Sequence, residues 1–219
     1  MVTFEDIKHN ENINIYIKKA DEALNSLGYT EHNVAHVTKV AECAGYILKT
    51  LGYSEREIEL VKIAAYLHDI GNLVNRVEHS QSGAVMAFRI LDKLGMPAED
   101  IADVVAAIGN HDEGTGIPVN AIAAALFLAD KSDVRRTRVR NVDVAKFDIH
   151  DRVNYSVVKS SFLINEKKTE IVLSLKIDSE YSTVSEYFEI FLERMMLCRK
   201  AAEKLGLKFG LIINDQVMM

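Results

Sequence analysis

Apolar residues recur at helical spacing along most of the first 130 positions. Ile13, Ile17, Ala20, Leu24 and Leu27 predict a helix closed by Gly28, and Val34, Val37, Val40, Ala41, Ala44, Ile47 and Leu48 predict a second, closed by Gly52. Ser54 with Glu57 three residues on reads as a capping box, opening a helix through Leu60, Ile63, Ala64 and Leu67. Further helices are predicted from His79 through Leu91, from Ala98 to Gly109 after Pro97, and from Ala121 to Ala129. The last is alanine-rich and apolar on every side, so it must be buried.

The pattern changes after Arg140. Residues 155–164 and 169–177 are rich in Val, Ser, Thr, Ile and Leu with partial alternation, and Asn165-Glu166-Lys167-Lys168 between them suits a hairpin turn. A helix over 183–205 and a strand over 209–213 complete a β-β-α-β tail. The expected fold is mainly α, a helical bundle over residues 1–145 with a small C-terminal α+β subdomain over 146–219. So small a tail is expected to pack on the bundle or on a second subunit, as in a homodimer.

Composition narrows the function. The chain has 219 residues, 48% hydrophobic, with a formal charge of -6 that argues against general nucleic-acid binding. Cys43 and Cys198 stand far apart and form neither a disulfide framework nor a cysteine metal site. Neither an apolar leader segment nor a membrane-length apolar run is visible, so the expected location is the cytoplasm, with no membrane partner.

Chemistry concentrates where helices end. The apolar run Ala64-Ala65-Tyr66-Leu67 stops at His68-Asp69-Ile70-Gly71-Asn72, and a buried imidazole and carboxylate need a partner. Imidazole beside carboxylate suits a divalent transition ion. His36, His79, His111 and Asp130 fall at the ends or inner faces of the neighbouring segments. Four imidazoles and two carboxylates can hold two divalent ions, with Asp69 or a hydroxide bridging and positions left open for substrate. His32, four residues before His36, is a candidate outer partner of that set.

Other residues carry alternative readings. Arg135, Arg136, Arg138 and Arg140 either line a phosphate site or form a solvated helix end beside the C-terminal dipole. Arg76 and Lys131 face either a phosphate or water. Asp112 and Glu113, in a loop with Gly114, Thr115 and Gly116, are candidates for proton transfer to a leaving oxygen.

His36-Val37-Thr38-Lys39-Val40-Ala41, Leu67-His68-Asp69-Ile70-Gly71 and Ala129-Asp130-Lys131-Ser132-Asp133, in that order, resemble the HD-domain metal-dependent phosphohydrolase superfamily over residues 30–136. The resemblance implies a helical bundle in which His36, His68, Asp69 and Asp130 hold one metal while His79 and His111 hold a second. A weaker likeness to the HD-GYP branch lies in His79 with Gly83-Ala84, and in His111-Asp112-Glu113 before Gly116-Ile117-Pro118. Asn72 stands where many such sequences carry a lysine, and Asp112 where that branch has a second histidine. The implied activity is hydrolysis of a phosphate ester or anhydride, of a nucleotide or related small molecule, by a metal-activated hydroxide. Asp69, Asp112, Glu113 and Lys131 are then the candidate catalytic residues, Arg76, Arg135 and Arg136 the candidate substrate-binding ones. The cofactors would be iron, manganese or other transition ions. The same ligand set is compatible with a di-iron oxygenase of the superfamily, or with a non-catalytic nucleotide-sensing module.

Overall fold

The computed structural model describes all 219 residues, in nine α-helices and one four-stranded sheet. The helices are α1 (Phe4–Lys8), α2 (Glu11–Ser26), α3 (Val34–Leu51), α4 (Glu55–Leu67), α5 (His79–Lys93), α6 (Ala98–Gly109), α7 (Ala121–Ser132), α8 (Ile149–Ser156) and α9 (Val184–Lys204). A 3-10 turn over Ile70–Leu73 follows α4. The strands are β1 (Val157–Ile164), β2 (Glu170–Ile177), β3 (Lys208–Ile213) and β4 (Gln216–Val217). None of the helices is long and apolar enough to cross a membrane.

The expected helices form where periodicity places them, and their caps explain the boundaries. Ser54 Oγ accepts from Glu57 N while the Glu57 carboxylate takes the Ser54 amide, satisfying two donors at the start of α4. Gly52 ends α3 in the left-handed conformation at φ 88°. Two helices fall outside the sequence expectation. Helix α1, capped by Thr3 and Asp6, has only five residues, too few for a period to show. Helix α8 takes the polar stretch before β1; Asp148 caps it, and strand geometry starts two residues later than the alternation suggests.

Helix α7 is the axis of the molecule. It packs against α3, α4 and α6 on one side and against α9 and β1 on the other, which is why it is apolar all round. Its Leu126, Phe127 and Leu128 are fully enclosed, each burial contributing about 1.5–3 kcal/mol. The sheet runs β1-β2-β3-β4: β1 and β2 form the antiparallel hairpin, while β2 and β3 are parallel and joined through α9. One cluster of 53 buried residues runs unbroken from α1 to β3, so the tail shares its core with the bundle. Through α7 and α9 the tail is held against the end of the bundle where the histidines gather.

Candidate metal centre

Five helix ends deliver the site. His36 lies in the first turn of α3, behind its N-cap Asn33. His68 caps the C-terminus of α4 and Asp69 follows it. His79 opens α5, His111 follows α6, and Asp130 sits in the last turn of α7.

His36 Nε2 lies 3.6 Å from Asp69 Oδ2 and 3.4 Å from Asp130 Oδ1; His68 Nε2 lies 3.1 Å and 3.6 Å from the same two oxygens. Donors about 2.0–2.2 Å from a common ion stand roughly 3.0–3.5 Å from one another. His36 Nε2, His68 Nε2 and Asp69 Oδ2 are buried without a hydrogen-bond partner. Three orphaned donor atoms facing one point at that spacing fit a cation. His68 Nδ1 donates to Ala65 O at 2.7 Å, leaving a lone pair on Nε2 in the neutral ring.

A second set shares Asp69. Its other oxygen, Oδ1, is 3.6 Å from His79 Nε2 and 3.9 Å from His111 Nε2, and those two nitrogens are 3.1 Å apart. His79 Nδ1 donates to Arg76 O and His111 Nδ1 to Ile108 O. Because a carbonyl only accepts, both neutral rings turn lone pairs toward each other. Arg76 Nη1 approaches His79 Nε2 at 3.3 Å, while two imidazole nitrogens with an Asp69 oxygen beside both form a donor set whose chemistry fits a metal too.

The surroundings tune these groups. Burial works against a charged His68, but with no cation beside them the Asp69 and Asp130 carboxylates outweigh it and push its pKa up to about 10. Burial favours neutral Asp69 and Asp130, yet His68 beside the first and Lys131 beside the second hold both well below the usual carboxylate range. Burial drives His79 and His111 down, toward the neutral ligand form. Asn72 donates its amide to Asp69 Oδ1 at 2.9 Å, a neutral anchor in the position where a lysine is common. Asp133 accepts from His36 Nδ1 at 2.8 Å and is itself paired with Lys39 and Arg135. It fixes the orientation of His36 as outer partners of ligating histidines do.

The HD domain family profile matches residues 33–153, more than half of the chain. The chain belongs to the HD domain family. An uncharacterized protein of Methanocaldococcus jannaschii is 27% identical over 199 residues, covering 78% of this chain and 76% of that protein. A crystal structure described as a predicted HD superfamily hydrolase from an uncultured Thermotogales bacterium aligns at 26% identity and a TM-score of 0.45, over 58% of this chain and 69% of that one. HD membership, together with the His/Asp donor set, supports a metal-dependent hydrolase.

Beyond the donors the HD segment opens into a cavity of about 510 Å³. The loop Leu27–Thr30, His32 and residues of α8 and α9 contribute to its lining. Asp112, Glu113, Lys131 and Arg76 line it. Lys131 is buried, 2.7 Å from Asp130 and 3.3 Å from Glu113; burial opposes its charge, but those carboxylates hold its pKa above the ordinary lysine value. Arg76 lies over the Tyr29 ring and donates toward His79 Nε2 at 3.3 Å. His32 donates Nδ1 to Thr30 O and meets the His36 ring edge-on at 5.5 Å, inside the cavity wall.

Arg135 and Arg136 are a correction to the sequence expectation: neither lines the cavity. Arg135 is spent on Asp133 and Thr137; Arg136 is stacked on Tyr155 and Tyr181 and bonded to Tyr155 O and Asp178, joining the 3-10 turn after α7 to the tail. The cation of that run that reaches the cavity is the buried Arg138, which donates to Glu31 O and Asp133 O. Glu113 also lines the cavity. Burial would raise its pKa, but Lys131 and Arg194 outweigh it and lower it, and the carboxylate pairs with both cations. Arg194 was not legible as a site residue: no spacing relates it to the ligands before the chain is folded.

Proposed function

We propose that this protein is a dinuclear phosphohydrolase acting on a phosphate ester or anhydride of a nucleotide or related small molecule. The observation that carries the reading is the division of Asp69, with Oδ2 facing the His36, His68 and Asp130 donors and Oδ1 facing His79 and His111. Divalent ions held there would supply Lewis acidity, lowering the pKa of a water toward neutral pH and stabilising charge on a phosphoryl group. His36, His68, Asp69 and Asp130 would hold one ion, and His79, His111 and Asp69 the other.

The remaining residues divide the work. Lys131 and Arg76 stand beside the two donor sets and supply positive charge for the phosphoryl oxygens. Asp112, one-third exposed at the cavity mouth with Oδ1 4.0 Å from His79 Nδ1, is placed to pass a proton to the leaving oxygen. Water's oxygen bonds to phosphorus as the ester or anhydride P–O bond breaks, and the proton delivered to the departing oxygen completes the products. Residues 1–145 would form the catalytic bundle and 146–219 a subdomain closing its mouth, in a cytoplasmic protein able to form a homodimer.

The test is a screen of phosphate esters and anhydrides with protein of measured metal content, under air and under nitrogen. Release of phosphate in both atmospheres, abolished in a folded H68A variant, is expected. Oxygen uptake coupled to substrate loss would instead make it an oxygenase. Metal-loaded protein that binds nucleotides without turning them over would make it a sensing module.

A further inference from the structure

Within the tail, Arg194 on α9 is the lysine or arginine that lines the cavity, and it lies outside the residues matched by the HD family. Its Nε and Nη2 both reach a single oxygen, Oε1 of Glu113, at 2.8 Å. Lys131 Nζ shares that oxygen at 3.3 Å and touches Asp130 at 2.7 Å, so a line of charge runs Arg194, Glu113, Lys131, Asp130 from the tail to the ligand set. The guanidinium carbon sits 4.0 Å from the centre of the Phe191 ring, which fixes the plane of the fork. Its third nitrogen, Nη1, bonds to nothing in the protein, and the side chain is only 20% exposed.

The charges along that line do not balance once Asp130 serves a metal. Lys131 and Arg194 then share Glu113 alone, leaving one positive charge in excess at the cavity wall. A fork with one edge bonded to a carboxylate oxygen and the other free is suited to two oxygens of a tetrahedral anion. We propose that Arg194 is a substrate-binding residue: its Nη1/Nη2 edge takes phosphoryl oxygens while Nε remains on Glu113, so the C-terminal helix supplies part of the site. The proposal rests on the phosphohydrolase reading.

The experiment is calorimetric titration of the metal-loaded full chain with inorganic phosphate, comparing wild type with R194Q, R194K and E113Q, with metal content and melting temperature recorded for each. Loss of a charged fork should weaken phosphate binding on the order of 10- to 100-fold in R194Q, with metal content unchanged. R194K, which keeps the charge and loses the fork, should fall between, and E113Q, which frees Arg194, should bind phosphate at least as tightly as wild type. Equal losses in R194Q and E113Q would overturn the proposal, since they would mark the ion pair as a clamp between α9 and the loop. Wild-type affinity in R194Q would overturn it as well. Turnover of phosphate esters is measured in the same preparations. Its absence in wild type, with phosphate binding still dependent on Arg194, would sink the hydrolase reading alone; turnover and phosphate binding both unaffected in R194Q would sink the proposal alone.

Discussion

The Nε2 atoms of His79 and His111 stand 3.1 Å apart although each ring commits its Nδ1 hydrogen to a main-chain carbonyl. Two imidazole nitrogens held this close, with Asp69 Oδ1 beside both, make a donor set suited to a cation. Protein purified without chelator should therefore carry about two transition ions per chain, falling to about one in H79A. Elemental analysis of the two proteins checks this; equal metal content in both would remove His79 from the ligand set.

Asp133 acts on the first set through His36. A D133N variant keeps the shape but loses the charge that holds the imidazole, so affinity for the His36-bound ion should drop roughly 10- to 100-fold. Competition with a chelator of known affinity reads this directly. Retained affinity would limit Asp133 to its pairs with Lys39 and Arg135.

Gly71, the last residue of the His-Asp-Ile-Gly run, is required by a close approach. A Cβ there would fall on the carbonyl oxygen of His79 and lie 2.5 Å from Gly83 N, because the 3-10 turn is pressed against the first turn of α5. G71A should cost about 1–3 kcal/mol and lower metal content as well, since the displaced turn carries Asp69 and His79 apart. Urea unfolding with metal analysis tests both.

Away from the metal site, Glu186 predicts part of the acid response. The Thr183 amide, then Arg152 and Ser182, hold its pKa down at about 2 against an ordinary 4.5. A depressed carboxylate contributes stability that is fully present above about 4.5 and is lost as pH falls toward 2. E186Q should lower the melting temperature at pH 7 and flatten its decline between those values. A decline as steep as in wild type would assign the acid response to other groups.

The bundle was legible because its helices carry their instructions locally. The apolar stripes of Val34 to Leu48, the Ser54–Glu57 box and the stops at Gly28 and Gly52 act within a few residues. The His-Asp motif was legible for a related reason: polar groups that end buried helices must be satisfied, and that cost is visible as an abrupt change from apolar to ionisable residues. His36, His68, Asp69, His79, His111 and Asp130 could be put forward together as candidate donors because each falls at an end or on the inner face of a predicted segment.

Only the tertiary structure decided which cations face the cavity. Within one arginine run, Arg138 turns inward while Arg135 and Arg136 turn to Asp133 and to two tyrosines, and no period separates them. Arg194 meets Glu113 across 81 residues, because α9 must cover the outer face of an all-apolar α7. Burial of α7 is a demand that the sequence states; which segment meets it, and what charge arrives with that segment, is settled by long-range packing, where energy depends on shape rather than on spacing along the chain.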